Sequence, residues 1–146
     1  MTDMTFAEIL DQPVNEIEAP KALPIGTYIG IIDGQPEFVK LGQNQTDAVQ
    51  FNIKPLQAVK VDERQLDEVL NGASLSDKKI QHTVWLTNDS KYRMKQFLVD
   101  HLGIPESSFR QMIPEAMGKQ VVVELAHKNS QDGTRIYNVV KSTAHV

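Results

Sequence analysis

The chain has 146 residues, 40% of them hydrophobic and 23% charged, with a formal net charge of -4 and no cysteine. That length supports one hydrophobic core without a metal or cross-link, and the missing cysteines exclude disulfides, thiolate zinc sites and thiol nucleophiles. No stretch approaches roughly 18 consecutive apolar residues and the N-terminus is acidic where a secretion signal is basic, so a soluble, cytoplasmic chain is expected.

In chain order, Thr5 and Glu8 have the spacing of a capping box, and Phe6, Ile9 and Leu10 fit a short amphipathic helix. Pro13, Pro20 and Pro24, with acids between them, then predict an extended connector. Residues 1–24 therefore read as an acidic, mobile N-terminal arm and residues 25–146 as the folded domain. From Thr27 the sequence turns to strand signals: TYIGIID, a break at Gly34, then EFVKL, together read as one long bent strand whose kinks fall at Gly30 and Gly34. Residues 48–61 alternate through Val49, Phe51 and Ile53 and predict a half-buried second strand. Asp62 caps a helix carrying Leu66, Val69 and Leu70 that stops at Asn71-Gly72. Lys79–Thr87 is the third strand, with Trp85 on the same parity as Thr83 and Thr87. Met94, Phe97, Leu98, His101 and Leu102 repeat at helical spacing until Gly103, and Pro105–Met117 reads as one or two turns broken at Pro114. Two last strands, Lys119–Lys128 and Thr134–Ser142, join through Asp132-Gly133. This order predicts a mainly β fold: an OB-fold-like five-stranded barrel with a helix between strands 3 and 4. A generic α+β sandwich uses the same elements.

Catalytic constellations are missing from the sequence. No phosphate-cradling glycine loop, GxSxG or HExxH occurs, and the four histidines are far apart. The expectation is a protein that is not an enzyme, with no catalytic residues, no metal and no cofactor; a nuclease or hydrolase has nothing in its favour. Binding chemistry is better represented. Residues 1–26 hold five acids and one base and residues 61–77 repeat that balance, whereas residues 78–146 hold ten bases and six acids, so an acidic chain can still carry a basic surface. Tracking a single strand of nucleic acid needs cations for phosphates and aromatic faces for bases. The candidates are Lys40, Lys54, Lys128, Arg135 and Lys141, with Trp85 and Tyr137 stacking. Strand alternation puts Arg135, Tyr137, Val139 and Lys141 on one face. Tyr28, Phe38 and Phe51 are expected in the core, and Lys91, Arg93 and Lys95 on the solvated side of their helix.

The run PIGTYIGII (Pro24–Ile32), the helix ending HLGI, MGKQVVVEL (Met117–Leu125) and IYNVVK (Ile136–Lys141) together resemble small bacteriophage single-stranded-DNA-binding proteins with an OB-fold. The resemblance spans residues 25–142. It implies sequence-independent binding and protection of single-stranded DNA in replication or recombination, in the host cytoplasm if the gene is a phage's. The chain ends KSTAHV, without the acidic C-terminal tail of the bacterial single-strand binders. Partners implied are single-stranded DNA and replication or recombination proteins reached through the N-terminal arm, with no membrane, and a monomer or homodimer as the working unit. The acidic arm is also expected to compete with DNA for the basic groove. The other class of reading is a structural or protein-interaction module that never meets nucleic acid.

Overall fold

Apolar alternation builds most of this molecule. The computed structural model describes residues 5–13 and 22–146. Phe6–Asp11 form α1, opened by the expected capping box: the Glu8 N–H donates to the Thr5 hydroxyl at 3.2 Å and the Thr5 N–H to the Glu8 carboxylate. Phe6, Ile9 and Leu10 are all exposed. Much of the expected connector, residues 14–21, lies outside the described residues.

The strands are β1 (Gly26–Ile32), β2 (Glu37–Leu41), β3 (Thr46–Lys60), β4 (Ile80–Trp85), β5 (Gln120–Asn129) and β6 (Ile136–Ala144). β2 pairs with the first part of β3 and β1 with the second, so the expected single bent strand is two strands laid end to end along one edge. Gly34, at φ +79, lies in the break. The pairing register also shifts between Ile29 and Gly30, opposite Pro55. Only glycine fits at 30, because a Cβ would run into the Ile53 side chain and the Lys54 carbonyl. β4 takes the other edge of β3, while β1 leads on to β5 and β5 to β6.

The result is a six-stranded antiparallel sheet, open rather than closed, which corrects the expected five-stranded barrel. The sheet curls enough to bring β4 near β6, yet no ladder joins them among the described residues. Side chains stand where the ladder would run: His101, from the helical segment below, bonds through Nδ1 to the Thr143 hydroxyl of β6.

The helical segments between β4 and β5 put Met94, Phe97, Leu98, Met112 and Ile113 into the core of the curled sheet. α2 (Glu63–Leu70) follows β3, with the Asp62 carboxylate accepting from the Gln65 N–H at 3.1 Å and Asn71 ending it at φ 47. Between β4 and β5, α3 (Lys91–Lys95) continues as a π-helical stretch, Gln96–His101, and α4 (Phe109–Glu115) follows. The Leu102 N–H reaches back to the Phe97 carbonyl at 2.9 Å, the wide bond of a π turn. Pro114 sits in the last turn of α4 without breaking it; the N–H it lacks would have reached the Arg110 carbonyl, at an exposed residue.

The inner sheet face carries Tyr28, Phe51, Ile53, Val121, Val123 and Leu125, packed against Met94, Phe97 and Leu98. Each such side chain contributes about 1.5 to 3 kcal/mol by leaving water. The Tyr28 hydroxyl donates to the Pro24 carbonyl at 2.7 Å, and burial pushes its pKa up to about 12. Leu23 and Pro24 are buried with it, so packing reaches upstream of residue 25. Phe38, expected in the core, is 65% exposed because the β2–β3 hairpin runs past the helices that cover the rest of the sheet. Among the described residues no helix is long and apolar enough to cross a membrane.

Candidate functional site

Cross-strand register decides which side chains share a surface. With Val49, Phe51 and Ile53 facing inward, the outer face of β3 carries Gln50, Asn52 and Lys54, opposite Thr83, Gln81 and Ile31 in turn. Trp85 stands on that outer face across from Ala48, 42% exposed. This is a strip of amide and hydroxyl groups with an aromatic at one end and Lys54 at the other, about 20 Å apart along the strand. The Gln81 amide donates to Gln50 Oε1 at 3.4 Å.

The chain turns sharply after Trp85. Thr87 and Ser90 bond each other, and the Ser90 hydroxyl donates to the Trp85 carbonyl at 2.9 Å. That turn lays α3 beside β4 and opens a cleft of about 510 Å³ between β4, α3, the π-helical stretch and β6. Trp85, Arg93 and Lys141 line it together with His82, Phe97 and His101. The Phe97 ring meets Phe51, His82 and His101 edge-on, at centroid distances of 4.8, 5.0 and 6.5 Å. Burial pulls the His82 imidazole down to about 4, with His101 adding to the effect, so the ring is neutral at pH 7. No carboxylate lines this cleft.

The seven sequence candidates divide into groups. Trp85 and Lys141 come together at the cleft. Lys128 and Tyr137 face each other across β5 and β6, and Tyr137 is 44% exposed. Lys54 belongs to the outer strip beside β4. Lys40, however, pairs with Asp47 on the opposite parity from Trp85 and is bound to its carboxylate at 2.8 Å. The expected common face of Arg135, Tyr137, Val139 and Lys141 does not form. Arg135 precedes β6 in the turn, where its N–H donates to the Ser130 hydroxyl at 3.1 Å. Beside it, Asp132 accepts from the Ser130 hydroxyl and from Thr134, which hold its carboxyl down to about 2 and leave an anion next to Arg135. Lys141 is displaced by the register shift at Glu124/Leu125 and meets Glu124 at 3.5 Å. Exposed pairs such as these contribute about 0 to 1 kcal/mol, so a phosphate can exchange for the carboxylate.

No protein-family model matches the chain, and no curated protein matches it. The site therefore rests on geometry.

Arg93 is the residue that sequence reading missed. It is exposed, on the solvated side of its helix as expected, yet it stands four residues before Phe97, and that i, i+4 relation also brings it to the cleft. It has no carboxylate partner among the described residues. No group of three or more His, Asp or Glu is placed to hold a metal ion among the described residues.

Proposed function

We propose that the protein binds single-stranded DNA without sequence preference, laying the strand along the outer face of β3 and β4 and across the mouth of the β4–β6 cleft. One observation carries this reading: Trp85 stands where a strip of uncharged amide and hydroxyl groups meets a cleft bearing Arg93 and Lys141 and no carboxylate. Amides and hydroxyls tolerate any base edge. An exposed indole stacks on any base, at about 1 to 3 kcal/mol per stacked base, and the cations meet phosphates.

The strand order supports an OB-like reading of the fold. If β1 and β2 are counted as two halves of one strand, the sheet has five strands with the helical segment between the third and fourth, left open along one seam. The same reading, with the resemblance to small phage single-strand binders, makes the protein an accessory of replication or recombination in the cytoplasm where the DNA is handled.

The test is fluorescence anisotropy of a labelled single strand of about 30 nucleotides against its duplex, at two salt concentrations. Binding that prefers the single strand and weakens with salt is the expected result. No binding at low salt rejects the reading. A second reading, a protein-interaction module, is favoured by α1, whose Phe6, Ile9 and Leu10 are exposed on a helix that also carries the acids Glu8 and Asp11. It predicts that removing α1 abolishes partner binding while leaving any DNA affinity unchanged.

A further inference from the structure

We infer that the cleft between β4 and β6 is a pocket for one nucleotide, holding the base against Trp85 and the phosphate between Arg93 and Lys141. The inference deepens the single-strand reading and takes its ligand class from it. Four features of the cleft support it. Its volume of about 510 Å³ falls in the range of small-ligand sites, roughly 300 to 1,000 Å³, and suits one nucleotide rather than a run of several. Its charge is one-sided: Arg93 and Lys141 line it without any acid, in a chain whose net charge is -4. Glu124 touches Lys141 at 3.5 Å and accepts from the Ser142 hydroxyl at 3.0 Å, but it lies outside the lining and is the partner a phosphate would replace.

The third feature is the floor. His82 and His101 supply ring nitrogens beside the Thr143 hydroxyl, while Phe97 keeps that floor apolar between them, the mix of stacking surface and hydrogen-bonding groups that a nucleobase needs. The fourth is that the site is built rather than incidental. A π-helical stretch sets Phe97 and His101 against β4 and β6, and Ser90 fixes the turn carrying Arg93. Such stretches recur at functional sites. The occupant is either one unit of a bound single strand, drawn in as the strand passes Trp85, or a free nucleotide.

Trp85 is the only tryptophan, so tryptophan emission, excited beyond the tyrosine band, reports on the junction of the cleft and the outer strip. The full-length protein is titrated with deoxyadenosine 5′-phosphate, with deoxyadenosine, and with a single strand, the last followed in parallel by anisotropy. Saturable quenching by the nucleotide and weaker quenching by the nucleoside are expected. Arg93→Gln should weaken the nucleotide by about tenfold, the size of one charge-assisted hydrogen bond, without altering the circular dichroism spectrum. Lys141→Gln, which also frees Glu124, is the second variant and should act in the same direction. Quenching by the single strand as well as the nucleotide, both weakened in Arg93→Gln, places a strand unit in the pocket. Quenching by the nucleotide with no strand binding by anisotropy keeps the pocket, assigns it to a free nucleotide and rejects the coating role. Strand binding by anisotropy with unchanged tryptophan emission, and with equal affinity in Arg93→Gln, overturns the pocket and leaves the coating role standing.

Discussion

The middle of the sheet and its seam are made from the same alternating pattern and end differently. Where β1 meets β5, Tyr28 stands opposite Val123 and Gly30 opposite Val121, the side chains buried and the strands hydrogen-bonded throughout. Where β4 nears β6, the inward positions include His82 and Thr143 among Ile80, Val84 and Val140, and no ladder forms among the described residues. Uninterrupted apolar facing residues let two strands close on a dry core. A polar group at the same depth must be satisfied, and the Thr143 hydroxyl is satisfied by His101, whose ring stands between the two strands. The sheet is thus closed and dry at its centre and open at the seam, where Trp85, Arg93 and Lys141 collect.

The largest test of that contrast is at the centre. Phe51→Ala removes a fully buried ring that packs edge-on to Phe97, and should cost about 3 to 5 kcal/mol of stability in a denaturant titration. A loss below 1 kcal/mol would mean that the core is much looser than its packing.

Next comes the seam, read through pH. The His82 imidazole titrates near 4 when folded and near 6.5 when unfolded, so the unfolded chain takes up the proton first. The stability this residue gives is complete above about pH 6.5 and is lost progressively as the pH falls to about 4, by up to about 3 kcal/mol. Denaturant midpoints at pH 7, 5 and 4 should fall in the parent and fall less in His82→Leu; parallel curves would remove His82 from the account.

The smallest expected effect separates two surface residues. Trp85→Ala should lower single-strand affinity by about 1 to 3 kcal/mol with an unchanged salt slope. Lys40→Ala, already paired with Asp47 on the far face, should change affinity by less than about 0.5 kcal/mol. Equal losses in both variants would point to a different binding surface.

Much of this architecture was legible in the sequence because local chemistry decided it. The capping groups of Thr5 and Asp62 and the alternation that turns Trp85 outward act within a few residues. What escaped depends on distant partners. Nothing local says that the β2–β3 hairpin outruns the core and leaves Phe38 in water. The register shift that moves Lys141 out of line with Tyr137 is a property of the β5–β6 pairing, and the end of the turn, one residue past Arg135, is set by Ser130 and Asp132 together. The cleft was invisible for the same reason. It joins β4, α3 and β6, which meet only when the sheet curls.

Leu23 has a further consequence. Its N–H donates to Asn138 Oδ1 and its carbonyl accepts from Asn138 Nδ2, both at 2.8 Å, and the same carbonyl accepts from His127 Nε2 at 2.7 Å. The amide of one side chain thus clips the backbone at a fixed point of the β5–β6 hairpin, next to Tyr137 and Lys128 in sequence. The residues before Leu23, with five acids among them, are therefore tethered to the fold at that point. Their effective concentration there is set by the length of the tether, on the order of millimolar for a short one, and does not change when the protein is diluted. Any contact those acids make with the hairpin is therefore independent of protein concentration.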